Sequence, residues 1–121
     1  MVQMTISLSQ RRRKPLEYMA RFDVYTNPDR QERTSIPYFL DVQNTYVELG
    51  TRVVIPLYAA AKFHGVVRDL TPEIQVQGNK VILNTAALGA VPDKELRQPV
   101  ANISQYQTLI QGALDTLFGG Y

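Results

Sequence analysis

The hydrophobic period of this chain changes once, near residue 104. Before that point, apolar residues come in short runs with strand-like alternation. After it, Tyr106, Leu109, Ile110, Ala113, Leu114, Leu117 and Phe118 recur at helical spacing. Alternating strands have one apolar face each, and the helix has one apolar stripe. The economical way to bury both is to lay the helix on a sheet. The expected class is antiparallel β followed by one C-terminal helix.

The runs can be placed one by one. Arg21–Tyr25 carries Phe22 and Val24 in alternation, and Tyr38–Gln43 and Arg52–Leu57 read as the second and third strands. Pro56 is expected near a strand end, because proline has no N–H to give a ladder. Glu73–Gln77 and Lys80–Asn84 form a hairpin around a Gly78-Asn79 turn. Glu95–Val100 reads as a further edge strand. Asn27-Pro28-Asp29 is a turn, Arg30–Ile36 is polar and reads as a mobile loop, and Ala59–Phe63 suits a short helical turn. Ser104 and Gln107 have the spacing of a capping box, and Gly119-Gly120 closes the helix.

Length suits one domain, residues 19–121, with residues 1–18 set apart by their Arg11-Arg12-Arg13-Lys14-Pro15 run. That stretch reads either as a disordered or non-native extension, with Met19 serving as a start, or as a basic arm touching nucleic acid. Net charge is +2, but residues 19–121 hold nine basic and ten acidic residues, which gives −1. The body is therefore not a basic nucleic-acid binder overall. A domain this small gains from pairing with a second copy. There is no cysteine, which excludes disulfides and Cys-based zinc sites. No run is apolar enough to span a membrane, and Met1–Gln10 lacks the apolar middle of a signal peptide, so a cytoplasmic protein is expected.

Reactive chemistry has few candidates. His64 is the single histidine, and it reads as structural or solvated more readily than catalytic. Asp41 alternates with Leu40 and Val42, which suggests a solvated or hydrogen-bonded surface role. Arg52, Arg68 and Asp69 suit an ion-pair group. No H-E-x-x-H, G-x-S-x-G or glycine-rich phosphate loop is present. No catalytic residue, metal or cofactor is expected. The helix is more informative. Its polar face, Gln105, Gln107, Thr108, Gln111, Gly112, Asp115 and Thr116, bears one charge. Gly112 weakens a helix by about 1 kcal/mol relative to alanine. Asp115 lies where the helix dipole disfavours an anion by about 0.3–1 kcal/mol. Such a face suits either contact with another protein or a helix covered by its own sheet and a dimer mate.

From Arg21 to Tyr121 the chain resembles the CcdB family of toxins. The resemblance rests on Phe22-Asp23-Val24-Tyr25, on Phe39-Leu40-Asp41-Val42-Gln43, and on Arg52-Val53-Val54-Ile55-Pro56-Leu57. It continues through Pro72, Ala90-Val91-Pro92, Val100, Ser104 and the run Ala113-Leu114-Asp115-Thr116-Leu117-Phe118-Gly119-Gly120-Tyr121. It implies an SH3-like, partly open antiparallel barrel, shared with MazF-like toxins, and a homodimer. It implies a non-enzymatic toxin that binds the GyrA subunit of DNA gyrase and traps the cleaved complex. A CcdA-like antitoxin would neutralise it, and operator DNA would be reached only through that antitoxin.

By the same resemblance, the gyrase-binding residues are Gly119, Gly120 and Tyr121, with Phe118 and Asp115 behind them and Tyr46, Val47 and Glu48 in a loop beside them. Familiar members end in tryptophan, glycine and isoleucine; here Gly119 and Tyr121 stand at the first and third of those places. The loop before Arg52 is one residue shorter than in those members, and residues before Met19 have no family counterpart. Two further readings stay open: a MazF-like endoribonuclease, with Arg52, Arg68 and His64 as candidates, and a non-toxic module that only binds antitoxin.

Overall fold

The computed structural model describes residues 19–120. The order of elements is β1 (Asp23–Thr26), β2 (Tyr38–Asp41), β3 (Thr51–Ala59), β4 (Glu73–Val76), β5 (Asn79–Leu83), β6 (Gly89–Pro92), β7 (Ala101–Asn102) and α1 (Gln107–Phe118). The strands pair antiparallel in the order β4-β5-β3-β2-β1-β7, with β6 also on β3. The sheet curls into a partly open barrel with the helix at its C-terminal end, the class expected from the change of period.

β3 organises the sheet. Along one side it pairs with β2 from Val54 to Leu57. Along the other it serves two partners in turn, β6 at Thr51–Val54 and β5 at Leu57–Ala59. Pro56 falls between those partners. Its carbonyl accepts from the amide of Asn84 at 3.0 Å, so its nitrogen faces the same side, where β6 and β5 part. The missing N–H therefore breaks no ladder bond, and proline is tolerated in mid-strand and not only near the end as expected.

Register sets the two faces. Val24, Leu40 and Ile55 lie side by side and fully buried, with Leu57, Val76, Val81 and Leu83 in the same cluster. Ile110 and Ala113 of α1 are buried, and Tyr106 and Leu114 pack against that cluster. Full burial of each large aliphatic side chain contributes about 1.5–3 kcal/mol. The opposite face is also covered: Tyr25, Val54 and Leu96 cluster there, flanked by Met19, Phe39 and Val91.

Several local expectations need correction. The hairpin turns at Gln77-Gly78, one residue earlier than expected, with φ of 52° and 81° and Val76 paired to Asn79. Positive φ at both central residues is the conformation that matches strand twist. Glu95–Val100 is not a strand; β6 and β7 flank it, and Leu96 turns inward instead. Arg30–Ile36 is a hydrogen-bonded turn: Ile36 N donates to Glu32 O at 2.7 Å, and buried Asn27 Nδ2 donates to Ile36 O at 2.9 Å. The capping box does not form, since Ser104–Tyr106 makes a 3-10 turn and no side chain caps α1. The amide of Ser104 is taken by Asn102 Oδ1 at 3.2 Å. The expected extension, residues 1–18, lies outside the described residues, as does Tyr121.

Candidate functional site

The end of α1 is built by main-chain geometry. Gly119 has φ 71° and closes the helix in the left-handed conformation, its amide donating to Asp115 O. Gly120 N donates to the same carbonyl at 2.9 Å. A Cβ on Gly120 would lie 3.0 Å from Asp115 Oδ1, so any residue but glycine requires the Asp115 side chain to give way by a few tenths of an ångström. Phe118 is 68% exposed and Asp115 is half-buried. On the polar face Gln105, Gln107, Thr108 and Gln111 are exposed, whereas Gly112 and Thr116 are half-buried. Leu109, assigned to the apolar stripe, is 48% exposed.

The second expected component is the loop between β2 and β3. Tyr46 and Leu49 are 81% and 71% exposed, Val47 is 40% exposed and Glu48 is also exposed. Asn44 Oδ1 accepts from Tyr46 N at 2.8 Å, and Val47 N donates to Asn44 O at 3.1 Å, so the loop opens with an Asx turn.

Arg21 joins these two components, a role that its place in the sequence did not reveal. Its amide donates to Thr45 Oγ1 at 2.9 Å and its Nε to Val42 O at 3.1 Å. Its Nη2 donates to Gln111 Oε1 at 3.0 Å, and Gln111 Nε2 donates to Asp115 Oδ1 at 3.0 Å. The guanidinium also lies 4.7 Å from the centroid of the Phe22 ring. Phe22 adopts φ 75°, a left-handed backbone at the entry to β1 that is rare for a bulky residue. Arg21, Val42, Asn44, Thr45 and Tyr46 line a shallow cleft of about 410 Å³ beside the bridge.

Beneath the loop lies a buried polar lattice. Arg52 Nε and Nη2 donate to the two carboxylate oxygens of Asp41 at 2.7 and 3.0 Å. Both side chains are buried, 3% and 0% exposed. Two further donors of Arg52, on Nη1 and Nη2, reach Val47 O at 3.0 Å and Gln43 O at 3.1 Å. Gln43 accepts from Val53 N at 2.9 Å and donates to Val47 O at 2.7 Å. Burial pushes the Asp41 carboxyl above its ordinary value of 3.8, opposed by Arg52 and the Gln43 amide and aided by the charge of Asp23.

Two expectations fail here. Asp41 is hydrogen-bonded as expected but not at the surface: it is fully buried, paired across the sheet with Val54, which clusters with Tyr25 and Leu96. Arg52 pairs with Asp41, not with Asp69, and Arg68 and Asp69 lie in an exposed segment. His64 is exposed in that segment too, whereas Arg52 is buried and paired with Asp41.

A cationic cleft of about 660 Å³ lies elsewhere, lined by Thr26, Pro28, Arg30, Arg33, Lys94, Glu95 and Arg97. It brings four cations and one carboxylate together from the turn after β1 and the segment after β6, and neither segment announced it. Among the described residues no three histidine, aspartate or glutamate side chains group as metal ligands, and no helix is long and apolar enough to cross a membrane.

The arrangement presents an exposed aromatic helix end, a glycine cap and an exposed aromatic loop, tied together by one arginine. A sequence model of the CcdB protein family matches residues 21–120 of the 121-residue chain. The chain therefore belongs to the CcdB family, and that membership supports its being the toxin of a toxin–antitoxin pair.

Proposed function

We propose that this protein poisons DNA gyrase by non-covalent fit, engaging the GyrA subunit with the end of α1 and the adjacent loop. The contact residues are Phe118, Gly119, Gly120 and Tyr121, with Asp115 behind them and Tyr46, Val47 and Glu48 alongside. The observation that carries the reading is the exposed, uncharged helix end, Phe118 at 68%, bridged through Arg21 to the loop bearing Tyr46. Large aromatic anchors each contribute about 2 kcal/mol or more at interfaces. Gly119 stands where familiar members have tryptophan, so Phe118 and Tyr46 take over the anchoring. The toxin acts as a homodimer, a CcdA-like antitoxin neutralises it, and operator DNA is bound only through that antitoxin. No bond is made or broken by the toxin itself.

Deleting Gly119–Tyr121 tests this. Overexpressed full-length protein induces DNA damage, and the truncated protein, still dimeric by light scattering, does not. Equal toxicity of the truncated protein sinks the reading. Tight antitoxin binding with no detectable GyrA complex would instead select the non-toxic module.

One observation favours a second reading, an RNA-cleaving toxin: the cationic cleft beside Glu95 suits a phosphate backbone. General acid/base cleavage needs a positioned pair, and Glu95 is the single carboxylate lining the cleft. RNA cleavage by the purified protein, lost in Arg30→Ala/Arg33→Ala, would establish that alternative.

A further inference from the structure

The loop between β2 and β3 exposes Tyr46, Val47 and Leu49, yet its stem is fixed by charge. Arg52 divides its hydrogen bonds evenly: two go to Asp41, and two go to the main-chain carbonyls of Gln43 and Val47. Those carbonyls are the two feet of residues 44–46. Gln43 braces the same span, donating to Val47 O and receiving Val53 N. Arg21 then holds the crown through Thr45 Oγ1.

We infer that Arg52 is a positioning residue: its guanidinium, locked by Asp41, pins the loop at Gln43 and Val47 and presents Tyr46 as a preformed recognition element. Three physical points support this. A buried ion pair is a weak contributor to stability compared with apolar residues of the same size. The planar guanidinium fork can serve a carboxylate and two carbonyls at once, whereas an ammonium cannot hold that geometry. A loop ordered before binding loses less conformational freedom on binding. The buried charge therefore makes sense as a scaffold for an exposed arch. The identity of the partner rests on the gyrase-directed reading; the positioning itself does not.

The protein has no tryptophan, so Tyr46→Trp places a single reporter on the arch. In that background the fluorescence anisotropy of the full chain is compared with and without Asp41→Leu/Arg52→Met. Arg52→Lys is the second variant, and circular dichroism confirms that each folds. Both variants should lower the anisotropy toward that of a flexible segment. With Tyr46 restored, both should weaken binding to purified GyrA by roughly tenfold or more, mainly through faster dissociation.

Unchanged anisotropy in a folded variant overturns the positioning role. Lower anisotropy with unchanged GyrA affinity overturns its contribution to recognition. If the double variant does not fold, Arg52→Lys decides by the same two readouts. If the unaltered protein fails to bind GyrA, the proposed partner falls, while the anisotropy comparison still decides whether Arg52 orders the arch.

Discussion

The two exposed elements of the candidate site are supported in opposite ways. The end of α1 is held by main-chain bonds and a left-handed glycine, all within six residues. The β2–β3 loop is held by side chains, with Asp41 and Arg52 eleven residues apart and Arg21 further away still. Local main-chain support is cheap to encode and weak. Non-local charged support adds little net stability over apolar residues of the same size, but it fails badly when half of it is removed.

That contrast can be broken most forcefully at Arg52. Arg52→Met leaves Asp41 buried without its counter-charge and should cost about 3–5 kcal/mol, read as a lower urea midpoint. Adding Asp41→Leu should recover most of that loss, since a matched apolar pair needs no counter-charge. If the single and double variants are equally unstable, the pair is not the unit described.

The helix end should respond less. Nothing lies within 4 Å of a Cβ built on Gly119, so Gly119→Ala isolates the cost of left-handed backbone. That cost is about 1–2 kcal/mol, visible as a lower Tm. Gly112 also has open space around a Cβ, and its backbone is ordinary helix. Gly112→Ala should therefore stabilise by about 1 kcal/mol, and a loss of stability would show that this face is more crowded than it looks.

The finest test is pH. The native Asp41 carboxyl binds its proton more readily than in the unfolded chain, whose ordinary value is 3.8. Between those two values the native state holds more protons, so this group's contribution is complete below about 3.8 and declines as pH rises through the native value. The stability of the protein relative to Asp41→Asn should fall as pH rises above about 4. A difference that grows with pH would mean that Arg52 outweighs burial.

The same contrast explains what the sequence made legible. The period change near residue 104 located α1, and Gly119 marked its end, because both depend on neighbours in sequence. Alternation locates β1 to β5 in outline, but it places Asp41 in a solvated or hydrogen-bonded surface role, and the residue is hydrogen-bonded yet buried. Alternation specifies two faces; it does not say that Leu96 will return to cover the second. β6 was missed because Gly89-Ala90-Val91-Pro92 shows no alternation and owes its conformation to β3. Ser104 and Gln107 had the right spacing for a capping box, but Asn102 reached the amide of Ser104 first. The family resemblance names the helix end and Tyr46, yet not Arg21, whose partners Thr45 and Gln111 lie too far along the chain for any local signal.

The pairing of β1 with β7 has a temporal consequence. Val24, near the beginning of the described chain, finds its partner in Ala101, near the end. During synthesis β1 keeps an uncovered outer edge until Ala101 and Asn102 have emerged and paired with it. Until β7 has paired, the sheet offers α1 no finished platform, so the helix surface is assembled last, by its own arrival.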